Sequence, residues 1–156
     1  MFSKFIYYLL QYTWGLPLTI VGWIVAAALR ITGHKPVLWY GPCPVFVIGK
    51  RWGGVSIGTT IIVDDSTENF PESKGGISQI LNHEFGHSIQ NALFGPFMLF
   101  LVSVPSAIRY QWSTRKMRKD PEWGRTFDYY GIWFEFTASV WGETNYIYVW
   151  KPHVEE

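Results

Sequence analysis

Two charge-free stretches divide the chain. The first runs from Phe5 to Leu29 and reads FIYYLLQYTWGLPLTIVGWIVAAAL. A helical span needs roughly 20 mostly apolar residues, so this stretch is long enough. Tyr7, Tyr8, Tyr12 and Trp14 crowd its first half as an interfacial aromatic belt does. Gly15 and Pro17 mark a kink of the kind membrane helices tolerate. The pattern predicts an N-terminal transmembrane helix, with residues 1–32 as a membrane anchor. A cleaved signal peptide ending at Ala26-Ala27-Ala28 is the alternative, but its apolar region would exceed the roughly 7–15 residues such signals use.

The second stretch runs from Ser88 to Ile108. Its apolar heart, Ala92 to Val104, is interrupted by Gly95-Pro96 and followed by Pro105. That is short for a span and suits a re-entrant or interfacial element. A third apolar run, Phe127 to Trp150, carries Asp128, Glu135 and Glu143, and predicts a helix packed within the protein. Between the first two lie turn-rich residues (Gly33, Pro36, Gly41, Pro42, Pro44, Gly49, Gly53, Gly54) around two strand candidates, Val45–Ile48 and Val55–Val63. A hairpin across Lys50–Gly54 would pair them. A helix then starts near Ser78, a candidate N-cap, and carries ISQILNHEFGHSIQNAL. The expected fold is α+β, with the transmembrane helix, a small β-hairpin or sheet, the HEFGH helix, a re-entrant segment and a C-terminal helix holding Glu135. Residues 33–156 are expected to form a single membrane-associated domain.

Composition strengthens the membrane reading. Charged residues are 16% of the 156, against about 25% in ordinary soluble domains. The net charge of +1 argues against nucleic acid as a partner, and the single Cys43 excludes a disulfide framework or a Cys-rich metal site. Five of the 13 basic residues, Arg109, Arg115, Lys116, Arg118 and Lys119, fall in one segment, expected to be a juxtamembrane cytoplasmic loop. Arg30, Lys35, Lys50 and Arg51 also outnumber Lys4 across the first span. The expectation is an integral membrane protein, its partner the lipid bilayer and its body on the cytoplasmic side.

The chemistry lies in His83-Glu84-Phe85-Gly86-His87. On a helix, residues four apart share a face, so both imidazoles can address one ion. Glu84 is offset by about 100 degrees, beside the metal rather than on it, where it can take a proton from an activated water. A third ligand must come from elsewhere. His34, His153, Glu135 and Glu143 are the candidates. Glu135 is preferred because an unpaired carboxylate in the apolar run IWFEFTASVW would be costly, whereas a cation would neutralise it. A salt bridge from Glu135 to Arg125 is the structural alternative.

HEFGH followed by Glu135-Phe136-Thr137-Ala138 resembles the gluzincin clan of zinc metallopeptidases, whose minigluzincin members are single small domains. The run from Gly53 to about residue 140 is also similar to a group of small bacterial membrane proteins with the same motif and Glu helix. The resemblance implies a Zn2+ cofactor held by His83, His87 and Glu135, with Glu84 as general base. It implies an edge strand, Val55, Ile57 and Thr59 on Val55–Val63, that holds a peptide substrate extended. Ser139 stands where the clan often has an Asp that hydrogen-bonds a metal-binding His. A Ser hydroxyl can accept the same bond without the charge. For the oxyanion donor, Tyr129, Tyr130, Tyr146 and Arg125 remain open. The site-two protease family is a rival likeness, with Asp128 as third ligand. The function expected is a membrane-anchored zinc metallopeptidase. The alternative is a non-catalytic zinc-binding scaffold that binds a partner protein.

Overall fold

A computed structural model describes residues 3–50, 52–65 and 79–145. Arg51, Ser78, Tyr146 and His153 lie outside the described residues. Among the described residues the fold is α+β, with six α-helices and a four-stranded mixed sheet.

The first apolar stretch is two helices rather than one. α1 (Lys4–Tyr12) and α2 (Leu16–Ile31) meet at 86°. Gly15 sits at the N-terminal boundary of α2 and Pro17 occupies its first turn, where a missing N–H costs nothing. Among the described residues, no single helix is long and apolar enough to cross a membrane. One side of these two helices packs against the rest of the fold, with Tyr7, Gln11, Thr19 and Gly22 buried, while Phe5, Trp23 and Ile24 are exposed.

Strands β1 (Leu38–Tyr40), β2 (Cys43–Val47), β3 (Gly54–Ile57) and β4 (Thr60–Val63) follow, in the spatial order β1-β2-β4-β3. The strand expected over Val55–Val63 is itself a hairpin. Gly58, at φ +58°, permits a tight reversal, and Val55 pairs with Ile62 across it. The expected hairpin between Val45–Ile48 and Val55–Val63 is therefore not formed as such; β2 pairs with β4, in parallel. That leaves β4 in the sheet interior, with all four residues buried, and β3 on the edge. Asp64 fixes the approach to that edge, its Oδ2 accepting from the N–H groups of Trp52 (2.6 Å) and Gly53 (2.7 Å).

α3 (Gln79–Phe94) is the central helix, buried at every residue from Leu81 to Ala92. One side packs Leu81, Phe85, Ile89 and Ala92 onto Tyr7, Tyr40, Val45, Ile61 and Val63. The opposite side meets α6 (Trp133–Asn145), the expected packed helix. The second apolar stretch breaks through a 3-10 turn (Gly95–Phe97) and a π turn (Leu99–Ser103) into α4 (Val104–Lys119), bent by 117° from α3. The basic segment expected as a loop is the C-terminal half of α4, and α5 (Pro121–Thr126) follows, capped by Asp120.

Glycine decides how close α3 and α6 come. A Cβ on Gly86 would collide with the Ala138 carbonyl, and one on Gly142 with the Asn82 carbonyl. A helix-interior glycine costs roughly 1 kcal/mol against alanine. Two of them permit backbone-to-backbone contact at the crossing, and that contact brings Glu135 beside the histidines.

Candidate metal centre

His83 and His87 lie one turn apart on α3, and Glu135 projects from the first turn of α6. All three are buried, Glu135 completely. His83 Nε2 lies 3.1 Å from His87 Nε2 and 2.9 Å from Glu135 Oε2, which is 3.5 Å from His87 Nε2. Metal–ligand bonds of about 2.0–2.1 Å in a tetrahedral site give ligand–ligand edges of roughly 3.3–3.4 Å. The observed triangle is of that size.

The outer hydrogen bonds set the imidazole tautomers. Gln90 Nε2 donates to Phe134 O (2.7 Å) and Thr137 Oγ1 (2.9 Å), so its Oε1 is the acceptor for His87 Nδ1–H at 2.8 Å. Ser139 Oγ donates to Glu135 O (3.2 Å), which makes it the acceptor for His83 Nδ1–H at 2.9 Å. Both Nε2 atoms therefore present lone pairs to one point, where Glu135 Oε2 has no hydrogen-bond partner among the described residues. Three converging lone pairs repel unless a proton or a cation lies between them. His87 expresses that demand: burial pushes its pKa down, but Glu135, Glu84 and Gln90 together raise it above the usual value. Burial likewise pushes Glu135 up, and His83 and His87 outweigh it, holding the carboxyl well below the usual carboxylate range. This buried His-His-Glu group could hold a metal ion.

The other Glu135 oxygen, Oε1, is held from elsewhere. Ser106 on α4 donates to it, as does Tyr129 OH at 3.3 Å. Burial raises the Tyr129 pKa, which keeps that donor protonated. The sequence gives no sign of Ser106, which lies 29 residues from Glu135. Gln90 was legible in principle: it follows His87 by three residues, hence on the same helical face.

Glu84 lines the same cleft as the three ligands. Burial raises its carboxyl above the usual value, opposed by His87 and His83. Its Oε1 lies where a Cβ on Gly54 would come within 2.7 Å, and its Oε2 has no hydrogen-bond partner among the described residues. Gly54 therefore makes room for Glu84 on β3, a role its place in a turn-rich run does not reveal. The cleft, of about 430 Å³, is walled by β3 on one side and α4 on the other.

The remaining candidates are elsewhere. His34 is exposed and bonded to Thr32. Glu143 is exposed on α6, and Arg125 pairs with Glu122 at 2.7 Å rather than with Glu135. Asp128 is exposed and is not one of the three grouped ligands. Tyr130 presents an edge-to-face ring to His83, with centroids 5.1 Å apart, and lines the cleft. Val55 and Ile57 are on β3, whereas Thr59 is buried in the β3–β4 turn, off the strand edge.

Comparison with known proteins returned no match: no family model, no curated protein and no solved structure matches this chain.

The hydrogen bond to Ser139 carries a prediction. Ser139→Ala should weaken metal binding about 10–100-fold, the usual loss when a ligand histidine loses its outer partner. Ser139→Asp, which can accept the same bond, should retain tight binding. Titration against a competing chelator reads both, and an unchanged affinity in Ser139→Ala would remove Ser139 from the site.

Proposed function

We propose that this chain is a membrane-associated zinc metallopeptidase of gluzincin type. The observation that carries the reading is the convergence of two imidazole lone pairs and a carboxylate oxygen with no hydrogen-bond partner among the described residues, beside a second buried carboxylate, Glu84. Two nitrogens and one oxygen form a ligand set that suits zinc, and three protein ligands leave a fourth position open. Held by His83, His87 and Glu135, zinc would supply Lewis acidity and make water nucleophilic near neutral pH.

The protein's own part follows from its groups. Glu84 Oε2, with no hydrogen-bond partner among the described residues, takes the proton of the attacking water and passes it to the leaving amine nitrogen as the C–N bond breaks. The substrate lies along β3. Asp64 N–H donates to Gly53 O, which makes Gly53–Asp64 a hydrogen-bonded pair. Bonded and non-bonded pairs alternate in an antiparallel ladder, so the N–H and C=O of Gly54 and Ser56 point away from β4. An extended peptide adds there as one more strand, with α4 as the opposite wall. Val55 and Ile57 direct their ladder bonds inward, towards β4. Tyr130, half-exposed at the cleft, is placed to face the substrate carbonyl.

The test is metal content with peptide hydrolysis. The purified full chain should hold about one zinc, and chelation should abolish cleavage of a peptide library until zinc is restored. Chelation should also lower the thermal midpoint, since a ligand at 100 times its Kd stabilises by about 2.7 kcal/mol. Zinc-dependent stability with no cleavage of any peptide would move the protein to the scaffold reading. Absence of bound zinc would end both.

A further inference from the structure

We propose that the chain enters only one leaflet of a bilayer, with its two helix elbows as the inserted end and its outer helix ends at anionic headgroups. The proposal rests on the membrane part of the reading above and is independent of zinc and of hydrolysis.

The two charge-free stretches, residues 5–29 and 88–108, are each bent near their middles. One elbow lies at residues 13–15 and the other at 95–98. Each bend turns its second helix sharply away from the line of the first, instead of continuing towards the far leaflet. The elbows also lie against each other. Trp14 Nε1 donates to Leu93 O at 3.1 Å, the Trp14 and Phe97 rings are 6.0 Å apart, and Asn91 Nδ2 donates to Gly15 O at 3.1 Å. Gln11 and Asn91 turn inward onto Thr19. The elbows therefore form one common end of the molecule.

That end is apolar and uncovered. Phe97 is 57% exposed and Phe100 70%, flanked by Leu99, Leu101 and Trp14. A patch of this kind on a chain with so few charges calls for an apolar partner. The charges identify it as lipid. Lys4, Arg30 and Lys35 mark the outer ends of α1 and α2, and Arg115, Lys116, Arg118 and Lys119 the outer end of α4. Along α4 the exposed order is apolar (Val104, Ile108), aromatic (Tyr110, Trp112), then basic from Arg115 on, while Arg109 turns aside to donate to the Asp128 and Tyr129 carbonyls. The Lys116 Nζ sits 4.2 Å above the Trp123 ring. This is the depth profile of a bilayer interface, with aromatics at the headgroups and cations beyond them.

The lengths agree. At 1.5 Å per residue, Phe100 to Trp112 spans roughly 18 Å and Phe100 to Lys116 roughly 24 Å. Half a bilayer is roughly 15 Å of hydrocarbon and 20–22 Å to the outer headgroups. With Phe100 near the midplane of an upright α4, Trp112 falls among the headgroups and Lys116 just outside them. Crossing both leaflets would require straightening the elbows and pulling Trp14 from Leu93 and Asn91 from Gly15.

The experiment adds full-length protein to preformed vesicles of 3:1 phosphatidylcholine and phosphatidylglycerol. It compares single variants Lys4→Cys, Lys35→Cys, Lys119→Cys and Phe100→Cys, the native Cys43 being buried. A membrane-impermeant maleimide should label the three lysine positions to the same extent and Phe100→Cys only after detergent. Replacing Arg115, Lys116 and Lys119 by alanine should weaken vesicle binding roughly fivefold per residue, with native thermal stability retained. Lys4→Cys and Lys35→Cys labelling from opposite sides would overturn the single-leaflet proposal and leave the membrane reading standing. Protein that stays off the vesicles with Phe100→Cys freely labelled would overturn both. Protection of Phe100→Cys in a lipid-free dimer would assign the patch to a second copy and overturn the proposal.

Discussion

Glu84→Gln is expected to bind metal as tightly as the parent chain and to lose peptide hydrolysis by about 10²–10⁴-fold, the usual contribution of a positioned general base. The amide matches the carboxylate in size, so the room that Gly54 leaves for residue 84 is still filled. What is lost is the ability to take a proton, because an amide oxygen is far less basic than a carboxylate. The contrasting variant is Glu135→Ala. It removes one of three ligand atoms and the only negative one, so it should empty the site of metal and abolish activity with it. Ser106 and Tyr129 would then lose their shared acceptor, Glu135 Oε1. Elemental analysis beside a hydrolysis assay separates the two variants. Full zinc occupancy in Glu135→Ala would show that the ligand triangle is wrong. Residual activity within a factor of ten in Glu84→Gln would remove Glu84 from proton transfer.

Gly86→Val should cost about 3 kcal/mol of stability or more, and the metal site with it. A side chain at position 86 needs the space of the Ala138 carbonyl, which is backbone and cannot rotate aside. Overpacking of this kind typically costs 1–3 kcal/mol even where side chains can yield. Here α3 and α6 must separate, and both carry ligands. Residue 86 adjoins His87, and Ala138 follows Glu135 by less than one turn. A displacement of about 1 Å would spoil edges of 2.9–3.5 Å. For a chain of this length the expected fall in Tm is roughly 6–12 °C. Differential scanning calorimetry with and without zinc measures it. A Gly86→Val chain with parental Tm and full metal content would show that the two helices do not touch as described.

The HEFGH motif was legible because a helical i, i+4 pair is a local relation, fixed by 3.6 residues per turn. Glu135 was legible for a different reason: a lone carboxylate in an aromatic run needs a partner wherever it folds. Ser139 was legible only through the likeness to the gluzincin clan, which often sets an Asp at that position to hydrogen-bond a metal-binding His. The sheet was less legible. Val55–Val63 is β-branched at most positions, and that hid the reversal at Gly58, because β4 is buried at every residue and shows no alternation that would set it apart from β3. The α4 helix was hidden by its charge, since a run of Arg and Lys suits a loop as well as the solvent-facing end of a helix.

The sequence by itself therefore determined the chemistry of the centre: which helix presents two imidazoles, which carboxylate stands beside them, and where charge is absent. Local periodicity and the cost of burying a charge suffice for that, and neither depends on the rest of the chain. Only the tertiary structure decided the triangle of ligand atoms, the Ser106 support, and the place of Gly54 behind Glu84. Those relations reach across as many as 52 positions, from His83 to Glu135, and the triangle closes because α3 and α6 cross at two glycines. It also decided that the apolar stretches bend rather than run straight, because the elbows are held by each other through Trp14, Asn91 and Gly15, contacts that hydropathy along the chain does not record.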